Sequence, residues 1–409
     1  MKFLPLDTVG TGHNGYQQHV KEANIKRIFD LVRSGKCKSR AELVRIMNLS
    51  ATSVSVLVDE LTERGLINET GPKQTSLPGR RPITLRLNRD AHQIAVFTLD
   101  RAGVSFDLMN LECSAIESRR FPFPSNQVPR NNAGEAYEQL FDNILNSQSR
   151  LFDPDRALAL CVIFPGFCTQ NPLTLCIQTA MGLDIPMAPL QRLQQRMGLP
   201  LFFAGRTKCM AYAEKKFLDA ANPDKPETQN MLFVRVGETI GGTIINDGDI
   251  YNGPYNVAGQ IGHCTIDYHG RPCPCGNIGC LERYVNQSAI LDDACAACRE
   301  AGIEPPESFK ELARRADSEA VLAASLRHSA ELLSFGLYTA LCGSGMRRLV
   351  LGGGIELLGS RFLQEIYHNL CKRSMLIHHL DLSYAQAGPD AASVGIAQYF
   401  LDKVFTITK

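Results

Sequence analysis

Hydrophobic residues in the first ninety positions recur at helical spacing. Ile25, Ile28, Phe29 and Val32 step by three and four before Ser34-Gly35, which predicts an amphipathic helix with one apolar face. A second helix is predicted from Ser39, where Glu42 three residues on completes a capping box and Leu43, Val44 and Met47 point inward. Asn48-Leu49 turns the chain. Ser50 then caps a third helix with Val54, Leu57, Val58 and Leu61 on its buried face and Ala51, Thr52, Ser53 and Ser55 exposed at its start. A short strand at Leu66–Glu69, a loop carrying Gly71-Pro72 and Pro78-Gly79-Arg80-Arg81, and the alternating strand Ile83–Leu87 complete the pattern. Three helices followed by a two-stranded wing predict a winged helix-turn-helix over residues 16–88, preceded by a flexible N-terminus at 1–15.

The pattern changes from about residue 92. Apolar runs at Ile94–Leu99, Val104–Met109, Leu158–Phe164, Leu201–Phe203, Met231–Val236, Gly242–Ile245 and Arg348–Leu351 predict strands. Helical periodicity fits Glu135–Arg150, Cys209–Leu218, Ala289–Ala301 and Glu319–Cys342. Strands alternating with helices predict an α/β region at 92–409 with mixed sheets covered by helices. The polar stretch Pro223–Gln229 suggests two lobes with a boundary near 205–230. At 409 residues the chain exceeds what one core supports, since single cores stop growing at roughly 250–300 residues.

Net charge is only +1, but it is unevenly placed: residues 1–90 hold 15 lysines and arginines against 9 acids. That surplus, with the third helix, makes the N-terminal module a candidate for double-stranded DNA. Ser50, Thr52, Ser53 and Ser55 would face the major groove, Lys36, Lys38 and Arg40 the backbone near the second helix, and Arg80 and Arg81 a phosphate or narrow minor groove from the wing tip. A three-helix interaction domain with a solvated basic face is the other reading.

The 14 cysteines are scattered through a long chain, which favours thiols and a cytoplasmic protein. Met1–Asp7 lacks the apolar stretch of a signal peptide, and no run of about 18 apolar residues predicts a membrane span. One segment stands apart. His263, Cys273, Cys275 and Cys280 lie within 18 residues, one imidazole and three thiols suited to a tetrahedral zinc ion (Zn2+). With four protein ligands and no open position, such a zinc would be structural rather than hydrolytic. Buried free thiols, or a disulfide between two of them, are the alternative.

The segment Gly253–His263, the cysteine cluster and the closing Gly279-Cys280-Leu281-Glu282 resemble the signature of the ROK family of repressors, open reading frames and sugar kinases. Ser39-Arg40-Ala41-Glu42 and Gly79-Arg80-Arg81-Pro82 resemble the winged helix of that family's repressors, so the likeness spans nearly the whole chain. It implies a two-lobed actin/hexokinase-like (ribonuclease H-like) effector domain, assembly as a homodimer or homotetramer, and a transcriptional repressor of sugar catabolic genes.

The resemblance also places a ligand site and argues against catalysis. Sugar-binding relatives follow a strand with Glu-Asn-Asp-x-Asn, whose Asp is the general base. Here Leu201-Phe202-Phe203 leads into Ala204-Gly205-Arg206-Thr207-Lys208, so Arg206 stands at the base position, and a guanidinium cannot accept that proton at neutral pH. The phosphate-turn region Thr98–Gly103 lacks the family's paired glycines. Gln260 replaces a glutamate of the signature, while His263 and Glu282 remain from the sugar-contact set and Pro165-Gly166 resembles the opposite rim. Arg206 and Lys208 together suggest an anionic effector, a sugar phosphate or sugar acid, unless they pair with local acids such as Glu214. A sugar kinase with an added DNA-binding domain, or a regulator answering to a protein partner, are the competing readings.

Overall fold

The computed structural model describes residues 13–72, 83–100, 102–123, 133–147, 151–153, 155–169, 176–178, 184–186, 188–221, 229–254, 256–373 and 379–405. Arg80 and Arg81 lie outside them.

Three helices open the chain: α1 (His13–Arg33), α2 (Arg40–Met47) and α3 (Ala51–Glu63). The Ser39 hydroxyl accepts from the Glu42 amide at 3.2 Å, and the Glu42 carboxylate accepts from the Lys38 amide at 2.7 Å, so the first turn of α2 is capped from both sides. Asn48 adopts a left-handed φ of 55°, and between α2 and α3 the chain turns by 119°, the geometry of a helix-turn-helix. Phe29, Leu43, Val54, Val58 and Leu61 are fully buried between the three helices. Strands β1 (Ile67–Pro72) and β2 (Ile83–Leu87) pair antiparallel as the base of the wing.

Next come β3 (Gln93–Asp100), β4 (Gly103–Asn110), β5 (Ala115–Pro122), α4 (Ala133–Ser147) and β6 (Ala157–Phe164). A small three-stranded sheet follows, β7 (Phe167–Thr169), β8 (Cys176–Gln178) and β9 (Asp184–Pro186), then α5 (Ala188–Met197), β10 (Leu201–Gly205) and α6 (Arg206–Ala221). The second lobe contributes β11 (Met231–Val236), β12 (Ile240–Asn246), β13 (Asp249–Tyr251), α7 (Glu282–Val285), α8 (Gln287–Glu300), α9 (Phe309–Arg315), α10 (Ala320–Ser344), β14 (Arg348–Gly352), α11 (Gly359–Cys371) and β15 (Asp381–Tyr384). Helix α12 (Ala391–Tyr399) runs into a π-helical turn at Phe400–Val404.

Both five-stranded sheets have one topology. The first is ordered β10-β6-β3-β4-β5 and the second β13-β12-β11-β14-β15. Each joins an antiparallel three-strand meander to two further parallel strands through its first strand. Inner strands are buried on both faces, hence their near-continuous apolar runs. In β3, Ile94 and Val96 enter one core while Ala95, Phe97 and Leu99 enter another with Phe106 and Phe141. The Ile94 face shares its core with Ile396 and Phe400 and, without interruption, with Ile28, Phe29 and Leu43 of the N-terminal helices. The helix-turn-helix is therefore packed onto the first lobe by apolar contact. Phe29 meets Phe405 edge-on at 5.9 Å between ring centres.

Candidate functional site

Strand β10 ends at Gly205, and α6 starts at once with Arg206, Thr207 and Lys208. This junction borders a cavity of about 370 Å³ between the two lobes. The first lobe contributes Phe164, Gly166 and Phe202; the second contributes Gly242, Asn252, Asn256, Gln260 and His263; Ile396 and Tyr399 of α12 close one side. Gly259, at φ 88°, is required here, because a Cβ would come within 2.1 Å of the Gly242 carbonyl oxygen.

Lys208 is the cavity's lysine. Its ammonium donates to the side-chain oxygens of Asn252 at 2.6 Å and Asn256 at 2.5 Å. Both acceptors are neutral amides, which orient the ammonium at the cavity wall. No aspartate or glutamate lines the cavity among the described residues. Glu214 does not serve as the local partner expected of it: it is fully buried elsewhere, accepting from the amides of Gln386 at 2.8 Å and Ala387 at 2.9 Å. Burial raises its carboxyl above the ordinary value, and the two amides offset part of that.

Three residues expected at the ligand lie apart from the cavity wall. Arg206 turns back to donate from Nη2 to the Leu99 carbonyl at 2.9 Å. Two helical positions separate it from Lys208, a rotation of about 200°, so the two side chains leave α6 on opposite sides. Glu282, at the start of α7, spends its carboxylate on the Ile240 amide at 2.7 Å, and burial raises its pKa. Pro165 is half-buried beside Gly166, which reaches the cavity when Pro165 does not. Thr207, Asn252, Asn256, Phe202 and Tyr399 are wall residues that motif reading overlooked. Asn252 and Asn256 flank the Gly253-Pro254 turn, and that polar turn was their sequence signal.

His263 belongs to two sites. It lines the cavity, and it also faces Cys273, Cys275 and Cys280, with all four ligand atoms within 4.8 Å of one another. Its Nδ1 lies 3.8 Å from the Cys273 sulfur, and the Cys275 and Cys280 sulfurs are 3.7 Å apart. Zn–S bonds of about 2.3 Å at tetrahedral angles give an edge of about 3.8 Å, the size of these two separations. The Gly276 turn at φ 91° brings the Cys273 amide to the Asn277 carbonyl at 2.8 Å, and the Asn277 side chain donates to the Cys280 sulfur at 3.3 Å. The four residues can hold a metal ion.

At the other end of the molecule, Ser50, Thr52 and Ser53 are exposed at the start of α3, and Ser55 is half-buried. The Ser50 hydroxyl caps the helix by accepting from the Ser53 amide at 3.0 Å. Lys36 and Lys38 are exposed. Arg40 departs from the expected phosphate-gripping role: it bonds Asp59 at 2.5 Å, Glu69 at 2.7 Å and the Ser55 carbonyl at 3.1 Å, bracing α2 against α3 and β1. Val56, 55% exposed one turn after Thr52, adds an apolar group to the same face.

The ROK family profile matches residues 104–403. The chain belongs to the ROK family. Among curated relatives of this ROK chain, the putative xylose repressor of Caldicellulosiruptor sp. (strain Rt8B.4) is 25% identical over 394 residues, covering 92% of this chain and 94% of that protein. The xylose repressor of Bacillus subtilis (strain 168) is 26% identical over 67% of this chain and 68% of its own length. The dual regulator NagC of Escherichia coli (strain K12) is 27% identical over 69% and 66% respectively. Among solved structures, a ROK family transcriptional regulator homologous to the E. coli MLC protein superposes with a TM-score of 0.75 at 22% identity, covering 94% of this chain and 97% of that one. A ROK glucokinase from Streptomyces griseus, solved with glucose and AMPPNP, gives 0.59 at 20% identity over 75% of this chain and 98% of its own. These two likenesses establish the fold. Among the described residues no single helix is long and apolar enough to cross a membrane.

Proposed function

We propose that this ROK protein is a sugar-responsive, DNA-binding transcriptional repressor of carbohydrate uptake or catabolism genes. The observation that carries the reading is the union of a helix-turn-helix, through one continuous apolar core, with a two-lobed domain holding a ligand-sized cavity. Relatives named as xylose and N-acetylglucosamine repressors support it.

In this reading the start of α3, with Ser50, Thr52, Ser53 and Ser55, enters the major groove of the operator, while Lys36, Lys38 and the wing arginines Arg80 and Arg81 hold phosphates. The effector binds between the lobes against Gly166, Lys208, Gln260 and His263. The ammonium of Lys208, oriented at the cavity wall by Asn252 and Asn256, favours a sugar acid or sugar phosphate over a neutral sugar. A zinc ion held by His263, Cys273, Cys275 and Cys280 would stabilise the loop that presents His263 to the cavity.

The protein does not phosphorylate sugar in this reading. Transfer from ATP needs a base within reach of the acceptor hydroxyl, and the described cavity wall offers no carboxylate. It acts in the cytoplasm as a homodimer or homotetramer, so that paired recognition helices meet a two-fold operator. Fluorescence anisotropy of the purified protein on DNA from upstream of its own gene tests the assignment. Salt-sensitive binding released by a sugar or sugar acid supports it; no preference over random duplex would refute it.

A further inference from the structure

We propose that Val56 is a specificity-determining residue for DNA: it reads the 5-methyl group of a thymine in the major groove, so each operator half-site sets a thymine against α3. The inference rests on the repressor reading above and names what the helix recognises.

The first two turns of α3 read Ala51-Thr52-Ser53-Val54-Ser55-Val56-Leu57-Val58, with no arginine, lysine, asparagine, glutamine, aspartate or glutamate among them. Those are the side chains that tell bases apart by hydrogen bonding: arginine and lysine select guanine, asparagine and glutamine select adenine, and the acids select cytosine. A serine or threonine hydroxyl both donates and accepts, so it discriminates little between base edges.

Part of the hydroxyl set is also engaged within the protein. The Ser50 and Ser53 hydroxyls lie 2.8 Å apart, and Ser50 Oγ accepts from the Ser53 amide at 3.0 Å. Ser55 is half-buried, and its carbonyl accepts from Arg40 of α2 at 3.1 Å. Val54, Leu57 and Val58 are buried in the three-helix core. Besides Ser53, the side chains left exposed on these two turns are Ala51, Thr52 and Val56. Thr52 and Val56 are four positions apart and therefore share one face. Val56 carries the largest apolar group there.

The acids that follow limit how far the helix enters. Asp59 and Glu63, one and two turns beyond Val56 on its side of α3, are exposed, and phosphates repel them. Arg40 pairs with Asp59 at 2.5 Å and so neutralises the acid nearest Val56. Helix α3 can thus seat its first two turns, with Lys36 and Lys38 exposed for phosphate contact. The apolar feature that a major groove offers to such a helix end is the thymine methyl. Cytosine would instead set its amino donor near Val56, which has no acceptor to meet it.

Deoxyuridine differs from thymidine by that methyl group alone. DNA from upstream of the gene is amplified with either thymidine or deoxyuridine triphosphate, and full-length protein is titrated onto each by fluorescence anisotropy, with random duplexes of both kinds as controls. Wild type is expected to bind the thymine form about fourfold or more tightly than the uracil form, the effect of burying one methyl group. Val56→Ser is expected to lose that preference and to bind the thymine form as weakly as wild type binds the uracil form, with Val56→Ala in between. Val56 is exposed, so both variants should keep the wild-type circular dichroism and melting temperature. Because uracil also alters duplex flexibility, the preference counts only where Val56→Ser removes it. Equal binding of the two forms by wild type, or an undiminished preference in Val56→Ser, would overturn the proposal while leaving the repressor reading in place. No preference for the upstream DNA over random duplex would refute the repressor reading itself, and this proposal with it.

Discussion

Arg33, the last residue of α1, forms an ion pair with Asp402 in the C-terminal π-helical turn, 369 positions away in sequence. The same carboxylate accepts from the Tyr212 hydroxyl at 2.8 Å and pairs with Lys216 at 2.8 Å, both on α6. Helix α6 begins at the cavity with Lys208, and Tyr399, a cavity wall residue, packs edge-on against Tyr212 at 5.1 Å between ring centres. Asp402 therefore joins the helix-turn-helix to the helix that borders the cavity between the lobes.

Removing that carboxylate leaves the Arg33 and Lys216 charges without it. Both side chains of the Arg33–Asp402 pair are 11% exposed, so solvent screens it little. Asp402→Ala is expected to lower stability by about 3 kcal/mol, the low end of the range for breaking a buried pair, with faster amide exchange in α1. Urea denaturation with hydrogen exchange checks this. Unaltered exchange at 25–33 would mean that Asp402 does not anchor α1.

The pH dependence follows from the same residue. Burial would raise the Asp402 carboxyl, but Arg33, Lys216 and Tyr212 outweigh it and hold it below the ordinary value of 3.8. A depressed folded-state pKa gives stability that is complete above about pH 4 and is lost as pH falls below that value. The stability gap between wild type and Asp402→Asn should therefore be constant near neutrality and close in acid. A gap that widens below pH 4 would reverse the assigned sign.

At the cysteine cluster, purified wild type is expected to carry one metal ion per chain, and Cys275→Ser or Cys280→Ser much less. Chelation should lower the melting temperature and disturb the cavity, since His263 belongs to both sites. Elemental analysis and thermal melts decide it; equal metal in wild type and both variants would remove the site.

On the DNA side, Ser53→Asp puts a negative charge at an exposed position of the first turn of α3, which in the proposed complex enters the major groove between two phosphate backbones. Operator affinity should fall by about tenfold or more, equivalent to about 1.4 kcal/mol, while circular dichroism stays unchanged. Lys36→Ala with Lys38→Ala should reduce the salt slope of binding by about one for each phosphate that a lysine no longer neutralises. Arg40→Ala, by contrast, should act on folding stability, because its guanidinium is already spent on Asp59 and Glu69.

ATP turnover with xylose, N-acetylglucosamine or glucose should remain at background, because the described cavity wall holds no carboxylate. Coupled-enzyme measurement of ADP release tests that, and stoichiometric turnover abolished by Lys208→Met would reinstate the kinase reading.

The features legible in the sequence are those written in short-range patterns. The helices around Phe29 and Val58 repeat at helical spacing, the Ser39 and Ser50 caps act within three residues, and the metal cluster lies within one segment. Runs such as Ala157–Phe164 are apolar at nearly every position because both faces of the strand are buried. Strand β5 escaped that reading: it is an edge strand with no fully buried position, and Glu117, Arg119 and Arg120 interrupt its apolar residues, so its pattern is that of a polar loop. Helix α12 is short and buried or half-buried along its whole length, leaving no clean polar face to mark it. Which way Arg206 and Lys208 point, the engagement of Arg40 with Asp59 and Glu69, and the meeting of Arg33 with Asp402 were decided only by tertiary packing. A charged side chain's partner depends on which elements the apolar cores bring together, and no periodicity along the chain records that.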